Sequence, residues 1–438
     1  MWKKIACIIG CLCMLFTLGG CDFITADTAE LLSPPSLSGD IKPIAQVLKE
    51  TAPSDHTMKY PSRGDYRSAV IREDIDSDGT LEAFAFYSVT DGETITMHMN
   101  LICYVDSGWK SVAVQQIIAA GVDKIEFSDL DGDGVEEIVV GWQIYGTSEM
   151  QLGVYSIGDN AFTQRMFQKY THFITCNLDE DNRNEVLVIN VSSTDANSAA
   201  LYSINESGVT ELSTCMLDQT ANTVNEPIID TLSTGKPAVY IDIIKGVGAV
   251  TEVLFMEKGV LVNPLIDAET GETLATLRSV SFGIDDINDD GILEIPVQMD
   301  VPSVAHSTVN EKLYLTNWCS FNGEALTNQM TTMINVIDGY YFNLSSKWVG
   351  NIAILKDTTN RIREIYLYNP KKMTVGSSIL YLRAIKKKEW SSGKFRDDGF
   401  TEIMENDNYI FVCKISEEGI KQGLTIEYVQ SNFKLFLN

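Results

Sequence analysis

Carboxylates on alternate residues recur at intervals along this chain, and that spacing suits a divalent cation. The first copy is Asp74, Asp76 and Asp78, followed by Gly79 and, at the ninth position, Glu82. A loop curled at the glycine turns its carboxylates inward, and calcium takes six to eight oxygen ligands. Carboxylates held this close repel one another unless a cation joins them. The alternative is an Asx-rich hairpin loop without metal. The remaining candidate ligands are Asp129, Asp131, Asp133, Glu137, Asn177, Asp179, Asp181, Glu185, Asp286, Asn288, Asp290 and Glu294.

The copies differ in how well they suit calcium, and up to four sites are predicted. The first two have three aspartates each and are the best candidates. The loop that begins at Asp286 has Asn288 at its third position, which is an acceptable oxygen donor. The loop that begins at Asn177 has Asn182 in place of glycine, tolerates a left-handed turn, and is expected to bind more weakly. A worn copy begins at Asp230, has Leu232 and Thr234 at ligand positions, and is expected to bind nothing.

The spacing of the copies indicates the elements that position them. Their first residues are separated by 55, 48, 53 and 56 residues, which is a period that fits a four-stranded β unit. Each copy is followed by an apolar run and then by an aromatic residue and a tight turn, as in 83–87, Tyr104 and 106–108. Helical periodicity is scarce between residues 62 and 328. The prediction is a mainly β protein.

An EF-hand is excluded because its loop supplies a glutamate at position 12 and continues as a helix. In the four intact copies position 12 is apolar and a β-type run follows: the residues are Ala85, Val140, Val188 and Val297.

The pattern resembles the FG-GAP/VCBS repeats of integrin-α-type β-propellers, whose loop is D-x-D-x-D-G-x-x-D followed by a strand. The resemblance covers about 270 residues. It implies a β-propeller-like array over 62–328, with metal ligands at loop positions 1, 3, 5 and 9 and a backbone carbonyl at 7. This chain has Glu where the family has Asp at position 9. That Glu can reach the metal directly, reach it through water, or brace the loop.

The N-terminus has the pattern of an export signal. Lys3 and Lys4 precede an apolar run over 5–18, which is short for a membrane span. The run ends in Leu-Gly-Gly-Cys21, which resembles the lipobox of bacterial lipoproteins and implies a diacylglyceryl anchor on Cys21. The alternative is a plain signal peptide with an incidental cysteine. The prediction is a signal peptide over 1–20 and a lipidated tether over 21–61, with a short helix over 41–50.

The repeat period is lost after about residue 328. Strand-like runs at 352–355, 362–368, 379–385 and 409–415 precede a segment, 417–437, that is predicted to end in a helix. This pattern predicts a small α+β domain over 329–438. The alternative is that these strands are diverged blades that complete one larger propeller.

Charge and motifs narrow the function. The net charge of −27, from 33 Lys+Arg and 60 Asp+Glu, argues against nucleic-acid binding. No hydrolase or metalloprotease signature is present, and none of the four histidines lies in a motif, so no catalytic residue is predicted. The prediction is an outward-facing, membrane-anchored scaffold that recognises a protein or glycan. The alternative is a propeller hydrolase or lyase that acts on an extracellular polymer, which would require converging carboxylates, Tyr and Arg in a channel.

Overall fold

The computed structural model describes residues 41–279, 282–304, 313–393, 395 and 398–436. The predicted signal peptide, Cys21 and the tether up to residue 40 lie outside the described residues. No helix among the described residues is long and apolar enough to cross a membrane. The short helix predicted within the tether is confirmed as α1, Ile41–Thr51.

The mainly β prediction is confirmed, and the described residues form six antiparallel sheets in chain order and one short hairpin. Sheet 1 contains β1 (Thr57–Met58), β2 (Val70–Glu73), β3 (Glu82–Asp91), β4 (Thr94–Val105) and the first half of β5 (Gly108–Ser128). Sheet 2 contains the second half of β5, β6 (Glu137–Ile144), β7 (Met150–Gly158) and β8 (Ala161–Tyr170). Sheet 3 contains β9 (His172–Cys176), β10 (Glu185–Asn190), β11 (Ser198–Asn205) and β12 (Gly208–Met216).

The later strands follow the same plan up to sheet 6. Sheet 4 contains β13 (Thr223–Val224), β14 (Ile228–Thr231), β15 (Pro237–Lys245), β16 (Gly248–Glu257) and β17 (Val260–Val262), and the hairpin pairs β18 (Ile266–Asp267) with β19 (Glu272–Thr273). Sheet 5 contains β20 (Ile295–Val301), β21 (Leu313–Phe321), β22 (Leu326–Asn335), β23 (Tyr340–Asn343) and, from the C-terminus, β29 (Phe433–Leu435). Sheet 6 contains β24 (Ile352–Asp357), β25 (Ile362–Asn369), β26 (Thr374–Lys386), β27 (Thr401–Glu405) and β28 (Tyr409–Ile415). The remaining described helices are α2 (Lys387–Trp390), α3 (Glu417–Lys421) and α4 (Ile426–Asn432).

The long strand β5 joins the first two sheets. Residues 108–118 pair with β4, and residues 119–128 pair with β6. The register shifts between Ala119 and Gly121, where the strand passes from one sheet to the next. A bulged strand bends and twists more strongly than a regular one, so β5 can be the last strand of sheet 1 and the first of sheet 2.

Both faces of sheet 1 are covered, which explains why β3 is apolar without alternation. Phe84 and Phe86 lie in a core shared with sheet 2, whereas Ala83 and Ala85 pack under α1, whose Ile44 is fully buried. Successive side chains of a strand point to opposite faces. A strand buried on both faces therefore reads as one continuous apolar run.

The later sheets are packed in the same consecutive manner. Separate apolar cores lie between sheets 2 and 3, between sheets 3 and 4, and between sheets 4 and 5. Leu315 of sheet 5 and Leu380 of sheet 6 belong to one further core. Consecutive four- and five-stranded sheets that pack face to face give a β-propeller-like array.

The C-terminal region contains both strands and helices, as predicted, but residues 433–436, the last that the structure describes, are not helical. The segment predicted to end in a helix contains α3 and α4 and then turns into β29, which pairs with β23. Phe433 stacks on Tyr340 at a centroid distance of 4.6 Å, so pairing at the sheet edge buries an aromatic ring that a longer helix would turn elsewhere. The proposed domain boundary at 328/329 falls within β22, and the division into two domains stays a prediction.

Candidate metal centres in the acidic loops

The four intact copies, called the acidic loops, begin at Asp74, Asp129, Asn177 and Asp286. The first three connect the opening strand of a sheet to its second strand, as β2 to β3, β5 to β6, and β9 to β10. The fourth precedes β20 and is closed by a bridge between Asp285 and Glu294. The repeat in the sequence therefore corresponds to a repeated position in the fold.

Backbone amides hold the carboxylates of the first loop. The amide of Gly79 donates to Asp74 Oδ2 at 3.0 Å, and the amide of Asp78 donates to Asp74 Oδ1 at 3.1 Å and to Asp76 Oδ1 at 3.2 Å. Ser77 and Gly79 have φ of 57° and 87°, which is the left-handed backbone that turns the chain back on itself. The amides bond both oxygens of Asp74 and one oxygen of Asp76, so these side chains are oriented before any cation arrives.

The second loop repeats this arrangement. Gly134 N–H donates to Asp129 Oδ2 at 3.1 Å, and Asp133 N–H donates to Asp131 Oδ1 at 3.2 Å. Arg165 Nη1 lies 3.4 Å from Asp131 Oδ2 and neutralises part of the charge.

Three of the four loops bring carboxylate oxygens within 4.8 Å of one another. Clusters of this kind can hold a metal ion. The groups are Asp74, Asp76 and Asp78 in the first loop, Asp129, Asp131 and Glu137 in the second, and Asp179, Asp181 and Glu185 in the third.

The glutamate at position 9 braces each loop. The sequence had left three roles open for this residue: direct ligand, ligand through water, or brace. In every acidic loop one of its oxygens accepts the backbone N–H of the second loop residue. The four bonds run from Ile75 to Glu82 at 3.2 Å, Leu130 to Glu137 at 2.9 Å, Leu178 to Glu185 at 2.9 Å, and Ile287 to Glu294 at 3.2 Å. One oxygen of each glutamate is thus used structurally. The other oxygen accepts a bond from Ser156 Oγ at 3.0 Å in Glu137 and from Asn288 Nδ2 at 3.2 Å in Glu294.

These four glutamates are buried carboxyl groups whose ionisation is disfavoured. Burial, reinforced by the neighbouring aspartates, raises the pKa of Glu82, Glu185 and Glu294 to about 7. The same causes raise the pKa of Glu137. A bound cation acts in the opposite direction, because it favours the charged form of a carboxyl group beside it.

The third and fourth loops differ at the residue that replaces an aspartate. In the third loop, Asn177 Oδ1 is buried and has no hydrogen-bond partner among the described residues. In the fourth loop, Asn288 Oδ1 accepts the N–H of Asp290, while its Nδ2 donates to Asp290 Oδ2 at 3.0 Å and to Glu294 Oε1 at 3.2 Å. The third loop therefore presents a spare oxygen, whereas the fourth presents an amide nitrogen between its carboxylates.

The worn copy closes the same connection without a cluster of carboxylates, and its one carboxylate, Asp230, accepts the amide of Thr231 at 2.7 Å. Leu232 N–H donates to Lys236 O at 2.8 Å, and Gly235 N–H donates to Leu232 O at 2.7 Å. Leu232 is buried in the core shared by sheets 4 and 5. Its side chain occupies the core at the position where the acidic loops have a candidate ligand.

A second polar site, called the Arg63 cluster, was not found from the sequence. It consists of Arg63, Asp123, Lys124, Tyr170, His172 and Glu226, which come from the connection between β1 and β2 and from sheets 2 to 4. Their spacing in the sequence gives no signal, because each is an isolated polar residue in or beside a strand.

Asp123 anchors one half of the Arg63 cluster. Its carboxylate accepts bonds from Arg63 at 2.6 and 2.9 Å and from Tyr170 Oη at 2.6 Å. Burial opposes ionisation of this group, but the hydrogen bonds from Arg63 and Tyr170 hold the pKa of Asp123 below its usual value. Burial and the adjacent carboxylate raise the pKa of Tyr170, which remains a neutral donor.

Glu226 anchors the other half. Its carboxylate lies 2.5 Å from Lys124 Nζ, 3.4 Å from Arg63 Nη1 and 3.9 Å from His172 Nε2. Burial lowers the pKa of His172 to about 4, and its Nδ1 has no hydrogen-bond partner among the described residues. Arg63, Lys124 and Glu226 also line an open cleft of about 760 Å³. The cluster links several sheets and borders a space in which a ligand could bind.

Comparisons with known proteins give matches only among solved structures, and the similarity is low. No family model matches this chain, and no curated protein matches it. A solved exotype rhamnogalacturonan lyase matches with 10% identity and a TM-score of 0.31, over 74% of this chain and 83% of that one. A rhamnogalacturonan lyase of Bacillus licheniformis matches with 10% identity and a TM-score of 0.33, over 74% and 69%. A periplasmic gluconolactonase of Pseudomonas aeruginosa matches with 8% identity and a TM-score of 0.28, over 73% and 86%. Similarity this low leaves the function to be argued from the residues of this chain.

Proposed function

We propose that this chain is an exported protein whose β-propeller-like repeats are stabilised by calcium and serve as a scaffold for recognition of a protein or glycan. The observation that carries the proposal is the recurrence of one loop, with its carboxylates held by backbone amides, at one position in the fold. Oxygen-only ligand sets with several carboxylates suit calcium better than zinc or copper.

The residues of the first three loops fit a cation. Their carboxylate oxygens lie within 4.8 Å of one another, and Asn177 Oδ1 is a buried acceptor without a described partner. Calcium would be held by the carboxylates at loop positions 1, 3, 5 and 9 in the first two loops, with Asn177 as the first ligand in the third. The fourth loop fits less well, because Asn288 would have to rotate before its oxygen faced the cation.

Calcium is proposed to have a structural role. It would neutralise carboxylates that otherwise repel one another and order the connection between the first two strands of a sheet. The resemblance to FG-GAP/VCBS repeats is part of this proposal, as are the lipid anchor on Cys21 and an outward-facing location. Replacing Cys21 with Ser in the full-length chain should release the protein from membranes, and continued retention would reject the anchor.

A thermal melt of residues 22–438 tests the calcium proposal. Binding to the folded state alone stabilises by about 2.7 kcal/mol per site at one hundred times the Kd. Calcium should therefore raise the melting temperature by several degrees relative to chelator, and Asp76→Ala and Asp131→Ala should each reduce that rise. Asp230→Ala, in the worn copy, is the matched control and should leave the rise unchanged. Identical melts with calcium and chelator would reject the proposal.

A second candidate function, a hydrolase or lyase for an extracellular polymer, is favoured by the Arg63 cluster. It combines carboxylates, a tyrosine, an arginine and a neutral histidine, and three of its members, Arg63, Lys124 and Glu226, line a cleft of about 760 Å³. Incubation with a panel of neutral and acidic polysaccharides, followed by measurement of new reducing ends, tests this function. Turnover that is abolished by Tyr170→Phe and His172→Ala would replace the scaffold proposal, and no turnover on any polymer would reject the enzyme.

A further inference from the structure

A separate cleft of about 430 Å³ lies where sheets 5 and 6 meet, away from the acidic loops. Its buried lining includes Met333 and Ile354, each 2% exposed. Val336 and Ile337 also line it and are 56% and 61% exposed. The cleft therefore has apolar residues both in its interior and at its rim, and its volume lies in the range of small-molecule sites.

The charge of this cleft is opposite to that of the protein. Its lining contains Arg278, Lys356 and Arg363 and, among the described residues, no Asp or Glu, although the chain carries a net charge of −27. Arg278 is compensated by Asp242, whose carboxylate lies 2.8 Å away.

Arg363 is buried without a carboxylate partner. It is 6% exposed and donates to Asn335 Oδ1 at 3.3 Å and to Ile362 O at 3.1 Å. Among the described residues no carboxylate forms an ion pair with it, because the nearby Asp338 is engaged by Arg361 and by the Asn335 amide. A buried charge that lacks a counterion is costly, so the guanidinium favours binding of an anion.

The strand register places a second cation beside Arg363. Lys356 on β24 and Arg363 on β25 are directly opposite partners in the antiparallel pair, so both side chains project from the same face. An anion in the cleft would pair with the guanidinium of Arg363.

We propose that the cleft between sheets 5 and 6 binds an amphipathic carboxylate. The carboxylate group pairs with Arg363 beside Lys356, and the apolar body packs against Met333 and Ile354. The inference does not depend on calcium or on the proposed scaffold function, because none of these residues lies in an acidic loop.

Isothermal titration with octanoate, acetate and octanamide tests both parts of the proposed ligand. Octanoate should bind, and acetate and octanamide should bind at least about tenfold more weakly, because one lacks the apolar body and the other lacks the charge. Arg363→Gln should reduce octanoate affinity by about tenfold or more and remove the preference over octanamide. Lys386→Gln, which removes an exposed charge at the end of β26, is the matched control and should bind like the parent.

A second position keeps the test valid if Arg363→Gln does not fold. Ile337 is exposed at the rim, so Ile337→Glu should fold normally, yet its charge should weaken octanoate binding several-fold while Ile337→Gln does not. Equal binding of octanoate and octanamide would overturn the proposal. Absence of octanoate binding up to about 10 mM would overturn it as well.

Discussion

The second and fourth sheets close the same strand connection in two different ways. In the Asp129 loop, backbone amides bind carboxylates, and an arginine partly neutralises them. In the worn loop, Asp230 accepts the amide of Thr231, backbone carbonyls accept the other amides, and Leu232 is inserted into the core. The fold thus tolerates a connection without a cluster of carboxylates. Closing the turn therefore does not by itself explain the carboxylates of the other loops. We propose that they bind a cation.

The pH dependence of stability should give the largest contrast between the two kinds of loop. Without calcium, Glu82, Glu185 and Glu294 titrate near pH 7 in the folded state and at their ordinary value near 4.5 when unfolded. The folded protein then binds more protons than the unfolded protein between these values. Stability should therefore fall as pH rises from about 4.5 to 7, by up to about 1.4 kcal/mol per pH unit for each group.

Calcium should remove that part of the pH dependence, because a cation keeps the loop glutamates ionised in the folded state. Denaturant unfolding across this pH range, with calcium and with chelator, measures the difference. Glu252 provides an internal control: its pKa is also raised to about 7 by burial, but it bonds to Thr273 and to the amide of Asp218. Glu252→Gln should remove its part of the pH dependence of stability, and that part should be the same with and without calcium. A pH dependence that calcium does not alter would contradict the role given to the acidic loops.

Shortening the Leu232 side chain of the worn loop should destabilise the protein equally with and without metal. Leu232 is 2% exposed, and removing a buried leucine side chain typically costs about 2–5 kcal/mol. Leu232→Ala should therefore lower the free energy of unfolding by an amount in this range, equally in calcium and in chelator. A loss seen only in calcium would mean that the worn loop also depends on metal.

Neutralising a bracing glutamate should change the free energy of unfolding in opposite directions with and without calcium. Glu185→Gln keeps an oxygen that can accept the Leu178 amide, but it removes a charge that is costly to bury. At pH 8 in chelator we expect this variant to be more stable than the parent by about 1–2 kcal/mol. In saturating calcium it should be less stable, because a ligand charge is lost. Chemical denaturation in both conditions measures the two differences, and the same sign in both would show that Glu185 only braces the loop.

The turn residue of the third loop should have the smallest effect. Asn182 has φ of 72°, a conformation that glycine adopts at lower cost. Asn182→Gly should therefore raise stability by about 0.5–1 kcal/mol. Ser192→Gly, in the connection between β10 and β11, is the control, because no left-handed backbone favours glycine there. A thermal melt that shows destabilisation by Asn182→Gly would mean that the asparagine side chain has another role.

The sequence predicted what is local and periodic. The repeat at Asp74, Asp129 and Asn177 identified both the strand pairs and the candidate ligands, because alternation of carboxylates and the apolar run after them are short-range patterns. The end of the chain was predicted less well: Phe433 forms β29 because β23 offers a sheet edge, and that edge is set by residues about ninety positions earlier.

Sites built from distant residues were not predictable. Asp123 and Glu226 come together only after sheets 2 to 4 are packed. The role of Glu137 was left open because its bond to the amide of Leu130 depends on the curvature of the folded loop. The pairing of Lys356 with Arg363 depends on strand register, which their spacing alone does not fix.

Direct titration of metal-free residues 22–438 with calcium, by isothermal calorimetry, tests the central claim. The account predicts at least two equivalents of bound calcium. Asp76→Ala and Asp131→Ala should each remove one equivalent, and Asp230→Ala should remove none. Absence of binding up to about 1 mM calcium, the range of weak extracellular sites, would contradict the account and leave the acidic loops as turns without metal.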